Sequence, residues 1–109
     1  MMDNKNFHVL WGEALTSNDR DTYVSDWATS SIFSEDADLL DNAAYLGQIW
    51  DAAHMDVRAI CKAAGLSQVA LAQRFCIPLR TVQNWCNGQR PCADYIRLMI
   101  AEALDIIQR

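Results

Sequence analysis

The sequence predicts an all-α protein, and three observations carry the prediction. Apolar residues recur at spacings of three and four, cap residues stand just ahead of those runs, and no convincing strand alternation interrupts them. With 109 residues, 51% hydrophobic and 21% charged, the chain has enough apolar material for a packed core. No internal repeat is visible.

Taken in order, residues 1–16 show no clear period. "SNDRDTYVSDW" offers caps at Ser17 to Asp19 and predicts a short helix over about residues 20–30. The next segment, "FSEDADLLDNAAYLGQIWDAAH", is a better helix. Ser34 or Asp36 is its expected cap, and acidic residues crowd the first turn, where the helix dipole favours them. Leu39, Ala43, Leu46, Trp50 and Ala53 form its expected apolar stripe, and Gly47 weakens it slightly.

From Asp56 the pattern tightens. Asp56 caps "VRAICKAA", with Val57, Ile60, Cys61 and Ala64 apolar, and Gly65 stops it. Ser67 caps "QVALAQRF", with Val69, Leu71, Ala72 and Phe75 apolar. Pro78 disfavours helix at Ile77 and starts "LRTVQNWCN", which Gly88 closes. Pro91 and Cys92 open the last helix, whose stripe is Ile96, Met99 or Ile100, Ala103 or Leu104, and Ile107. Met99 and Ile100 are expected in the core. One of the adjacent pair Ile106 and Ile107 must face away from it, which hints at self-association.

Charge divides the chain. Residues 1–53 hold two basic and ten acidic side chains, a balance of −8; residues 54–109 hold seven and four, a balance of +3. Together they give the net −5. The expected organisation is therefore an acidic N-terminal extension with one or two helices, residues 1–53, and a basic-surfaced domain, residues 54–109. Trp11, Trp27, Trp50, Phe7, Phe33, Tyr23 and Tyr45 load the acidic part with aromatics. They are expected to pack the arm on the domain or across a dimer, or to offer a surface to another protein.

Several function classes fall away. Cys61, Cys76, Cys86 and Cys92 contain no C-x-x-C pair, and His8 and His54 complete no zinc pattern. They read as reduced thiols acting as small apolar side chains. No nucleophile–base pair, carboxylate pair or phosphate-cradling glycine loop is visible, so no catalysis and no cofactor or metal is expected. No run approaches a membrane span and the N-terminus carries no secretory pattern, so the expected place is the cytoplasm, at the nucleoid.

Two short helices joined by three or four residues, the second opening with polar side chains, describe a helix-turn-helix, whose second helix enters the DNA major groove. Here the stretch "AGLSQVALAQRFCIPLRTVQNWCNGQRP" resembles the Cro/phage-repressor-like (XRE) helix-turn-helix proteins. "GLSQ" opens the second helix, "LA" lies in its middle, "TVQNW" belongs to the recognition helix and "NGQRP" leads to the next. The resemblance covers about residues 56–105. It implies a compact four- to five-helix lambda-repressor-like domain and a regulator that binds double-stranded DNA as a homodimer through residues 79–87. The chain departs from the family at three places. Cys76 stands where members usually carry a turn glycine, Cys86 where many carry glutamate, and Pro78 at the usual serine or threonine cap.

By this resemblance Leu79, Arg80, Gln83 and Asn84 fall where base-reading side chains are placed. Their chemistry suits base edges, since arginine matches guanine O6 and N7, asparagine or glutamine matches adenine N6 and N7, and leucine suits a thymine methyl. Gln68, Thr81, Asn87 and Arg90 are the candidates for the DNA backbone. Trp85, three residues after Val82, is expected to hold the recognition helix on the domain. The alternative reading is an antitoxin-like or adaptor protein whose acidic, aromatic arm binds a protein partner.

Overall fold

The computed structural model describes residues 4–107, all-helical apart from turns and loops, with the side chains of Asn4 and Lys5 left aside. Seven helices follow one another: α1 (Asn4–Thr16), α2 (Arg20–Ala28), α3 (Leu39–Ala53), α4 (Val57–Ala64), α5 (Gln68–Phe75), α6 (Leu79–Cys86) and α7 (Asp94–Ala103). The described residues fall into two compact units, one of residues 4–54 with Ile107, the other Met55–Ile106.

In the first unit α1 and α2 both pack on α3. Residues 1–16 show no clear period in sequence, yet α1 buries Phe7, Leu10, Trp11 and Ala14, an i, i+3, i+4, i+7 stripe. Exposed Val9, beside Leu10 in sequence, blurred that signal. The unit thus has three helices in its described residues, where one or two were expected. Asp19 caps α2, accepting from the Asp21 and Thr22 amides at 3.0 and 3.3 Å. Hydrogen bonds from Thr22 hold the Asp19 carboxyl below its ordinary value.

Asp38 caps α3, not Ser34 or Asp36: its carboxylate accepts from Leu40 N at 2.7 Å and Asp41 N at 3.2 Å. Ser34 instead closes a local turn by accepting from Asp36 N. The apolar stripe has the expected period but a shifted phase. Asn42, Tyr45, Leu46, Ile49, Ala52 and Ala53 are buried, while Leu39 faces solvent. The shift is set by Asn42 and an aromatic pair, while a separate bond from Tyr23 ties α2 to α1. Tyr23 donates its hydroxyl to Leu10 O at 2.8 Å, and Asn42 donates to Ala28 O at 3.2 Å. Phe33 meets Tyr45 edge-on, 6.4 Å between ring centres. Burial pushes the Tyr23 hydroxyl well above its ordinary pKa. Five of the seven aromatics named above are therefore buried, and these contacts serve the unit's own core.

Gly47 has a use that its helix-weakening character hides. A side chain there would collide with the Arg20 guanidinium, which lies over it and pairs with Asp51 through Nε at 2.9 Å and Nη2 at 3.3 Å.

The second unit follows its sequence signals closely. Asp56 caps α4 by accepting from Ala59 N at 2.8 Å, and Gly65 ends it in the left-handed region at φ 69°. Ser67 caps α5 by accepting from Ala70 N at 3.0 Å. The core joins all four helices through Val57, Ile60, Cys61, Leu71, Ala72, Val82 and Ile100. Phe75, Ile77, Trp85, Ile96, Leu104 and Ile106 pack around it. Two expected core residues lie outside. Val69 is 49% exposed and Met99 63%. At 100° per residue, Leu71, Ala72 and Phe75 define the inner arc of α5 with Val69 on its flank, and Ile96, Ile100 and Leu104 turn Met99 outward on α7.

All four cysteines are free thiols. Cys61, Cys86 and Cys92 act as apolar packing, and burial pushes each thiol up, away from the reactive thiolate. Cys76 does not: it is exposed and adopts the left-handed conformation at φ 54°. Its amide and that of Ile77 close the end of α5 on Ala72 and Gln73. A Cβ in this conformation costs about 1 kcal/mol, so Cys76→Gly is expected to raise stability by about that amount in chemical denaturation.

Candidate nucleic-acid interface

α6 is amphipathic because its sequence divides by helical angle. Val82 is fully buried, and Trp85 and Cys86 pack against the same core. Leu79, Arg80, Gln83, Asn84 and Asn87 occupy an arc of about 140° on the other side at 100° per residue. Leu79, Arg80 and Asn87 are exposed, and Gln83 and Asn84 are half-buried. The four candidate base readers therefore share one face of one helix. Trp85 fixes that face, as expected, by anchoring the helix on the core.

Both ends of α6 are shaped by backbone bonds. Pro78 precedes the helix, and its carbonyl accepts from Thr81 N at 2.9 Å and Val82 N at 3.3 Å. No side chain caps the helix start, so its first amides remain donors for solvent or an anion. At the other end the Asn84 carbonyl accepts from the Gln89 and Arg90 amides at 3.0 and 3.3 Å, aided by Gly88 at φ 75°. The loop thus folds back on the helix and keeps Arg90 beside its C-terminus. Of the other candidates, Thr81 is half-buried on α6, Asn87 is the residue that ends it, and Gln68 opens α5, which packs directly on α6.

The charge around this face has a simple origin. Residues 57–93 contain Arg58, Lys62, Arg74, Arg80 and Arg90, and no Asp or Glu at all. Two of the unit's cations are committed to structure. Arg74 donates to Ala103 O, and Arg97 donates to Met55 O and Asp94 at 2.6 Å each. Arg80 and Arg90 make no ion pair with any described residue, and both are exposed. Arg58 and Lys62, four apart on the exposed side of α4, were missed as candidates. The Arg58 charge lowers the Cys86 thiol against the effect of burial, which locates Arg58 near the end of α6. Their i, i+4 spacing opposite the apolar stripe was the available signal.

A helix-turn-helix family model matches residues 57–106. These residues are a Cro/C1-type helix-turn-helix domain. The α5–turn–α6 pair is its helix-turn-helix, and the family is one of DNA-binding transcriptional regulators. No curated protein and no solved structure matches the chain. Among the described residues no group of His, Cys, Asp or Glu is placed to hold a metal ion, and no helix is long and apolar enough to cross a membrane.

Proposed function

We infer that the protein is a sequence-specific regulator that binds double-stranded DNA as a homodimer, with α6 in the major groove. The observation that carries this reading is the face of α6, where Arg80, Gln83 and Asn84 stand together on a helix anchored by Val82 and Trp85. Arg80 suits guanine, Gln83 and Asn84 suit adenine, and Leu79 suits a thymine methyl. Gln68, Thr81, Asn87 and Arg90 take the phosphates on either side, and Arg58 and Lys62 extend that set.

The dimer reading rests on α7. Tyr95, Met99 and Ala103 recur every four residues on its outer side, with Tyr95 67% exposed. Burying that stripe against its symmetry mate removes apolar surface from water and doubles the phosphate contacts. Met99→Asp is expected to convert the dimer to monomer in sedimentation and to roughly halve the salt dependence of DNA binding.

The test of the reading is selection from a random DNA pool, followed by affinity against salt. A palindromic site and a log–log slope of about −5, from about six neutralised phosphates, are expected. No enrichment above non-specific binding at low salt would overturn the assignment.

A further inference from the structure

The first unit holds a surface that nothing above uses. The loop after α2 and the start of α3 line an open depression of about 440 Å³, bounded by Ala28, Ser30, Phe33, Glu35, Leu39 and Asn42 among others. Its lining is mostly polar, with Ala28 and Phe33, both buried, and Ala37 and Leu39 as the apolar members. The Ser30 hydroxyl oxygen is buried without a hydrogen bond from any described residue. At the rim Leu39 is 54% exposed and the adjoining Leu40 79%. Two exposed leucines in the first turn of α3, next to this depression, leave apolar surface in water that a partner would remove.

Charge decides what kind of partner. Residues 21–53 carry seven carboxylates and no Lys or Arg. Asp38 is occupied as the cap of α3 and Asp51 by Arg20. Glu35, Asp36 and Asp41 stand exposed beside the leucines. Phosphate or an acidic protein would be repelled there, and a cationic segment would be drawn in.

We propose that this surface, the α2–α3 loop with Leu39 and Leu40, docks a basic amphipathic peptide segment of a partner protein. An apolar side chain of that segment covers Leu39 and Leu40 and enters the depression toward Phe33, while its Lys or Arg side chains meet Glu35, Asp36 and Asp41. The surface shares no residue with those assigned to DNA, so either assignment can fail alone.

The test uses the full chain and a labelled leucine–lysine helical peptide of about 18 residues, five turns. A serine-for-leucine analogue and a glutamate-for-lysine analogue serve as comparisons. Anisotropy is expected to show binding of the leucine–lysine peptide alone, with amide shifts in the protein confined to residues 28–42. Leu39→Ser with Leu40→Ser, at exposed positions that keep the fold, is expected to weaken binding at least about tenfold. Glu35→Lys with Asp36→Lys is expected to do the same. Equal binding of the leucine-free peptide, undiminished affinity of the leucine variant, shifts elsewhere or no binding at all would each overturn the proposal. Sedimentation showing self-association that the leucine variant loses would overturn it in favour of a second copy of this chain.

Discussion

Alanine at both Arg80 and Asn84 is expected to weaken specific DNA binding by about 2–6 kcal/mol, from about 1–3 kcal/mol for each base-reading side chain. Both residues lie on the face of α6 away from Val82 and Trp85, so the change removes contacts without removing packing. They are one helical turn apart on the same face. Anisotropy with the selected site and a scrambled duplex measures the effect. The selected site should lose affinity while the scrambled duplex loses much less. Lys62→Ala gives the opposite signature: a similar loss on both duplexes and a salt slope flatter by about two, one phosphate from each protomer. Unchanged discrimination in the Arg80 and Asn84 variant would show that α6 does not read bases.

Leu71→Ala is expected to lower the stability of the second unit by about 2–5 kcal/mol, the usual cost of emptying a fully enclosed leucine site. Leu71 has no exposed surface and lies in a core shared by four short helices, where little else can move in to fill the space. Against a typical total of about 5–15 kcal/mol this is a large fraction. Denaturant-dependent amide exchange in α4 to α7 measures it unit by unit. Val69→Ala, two residues earlier on the half-exposed flank of α5, is expected to change stability by no more than about 0.5 kcal/mol. Equal effects at the two positions would contradict the burial pattern.

The second unit was legible in the sequence because its signals are local and repeated. Asp56, Gly65, Ser67 and Gly88 all mark helix ends where the structure has them. The short apolar stripes of α4 and α6 leave few alternative phases. The first unit was less legible because its helices are fixed by contacts distant in sequence. The phase of α3 depends on Asn42 reaching Ala28 and Tyr45 meeting Phe33, and no window of the sequence contains that information. The clash that Gly47 avoids is likewise with Arg20, 27 positions earlier, invisible to a helix-propensity reading. On α7 the period alone allowed Met99 or Ile100 inside, and only the packing of Ile96 and Leu104 decides between them.

At the candidate interface, the shared face of Arg80, Gln83, Asn84 and Asn87 was legible because all four lie within one short helical segment at helical spacing. Arg58 and Lys62 were not singled out because they stand on α4, outside the two-helix motif, and their relation to α6 is a matter of tertiary placement. The left-handed turn at Cys76 was legible as a departure from the glycine that usually stands there, and the structure keeps the turn despite the Cβ.

The helices α4, α5 and α6 have eight residues each. In water an isolated helix of that length is only marginally populated, because nucleation is costly and few bonds follow it. No part of the face proposed for DNA therefore exists before the whole unit assembles: order in α6 is borrowed from Leu71 and Ile100 on its neighbours. Assembly and recognition become a single equilibrium. A duplex that binds only the assembled form raises the unit's melting temperature with the logarithm of its concentration above Kd, and an excised peptide of α6 alone would carry the right side chains with no fixed surface to present them.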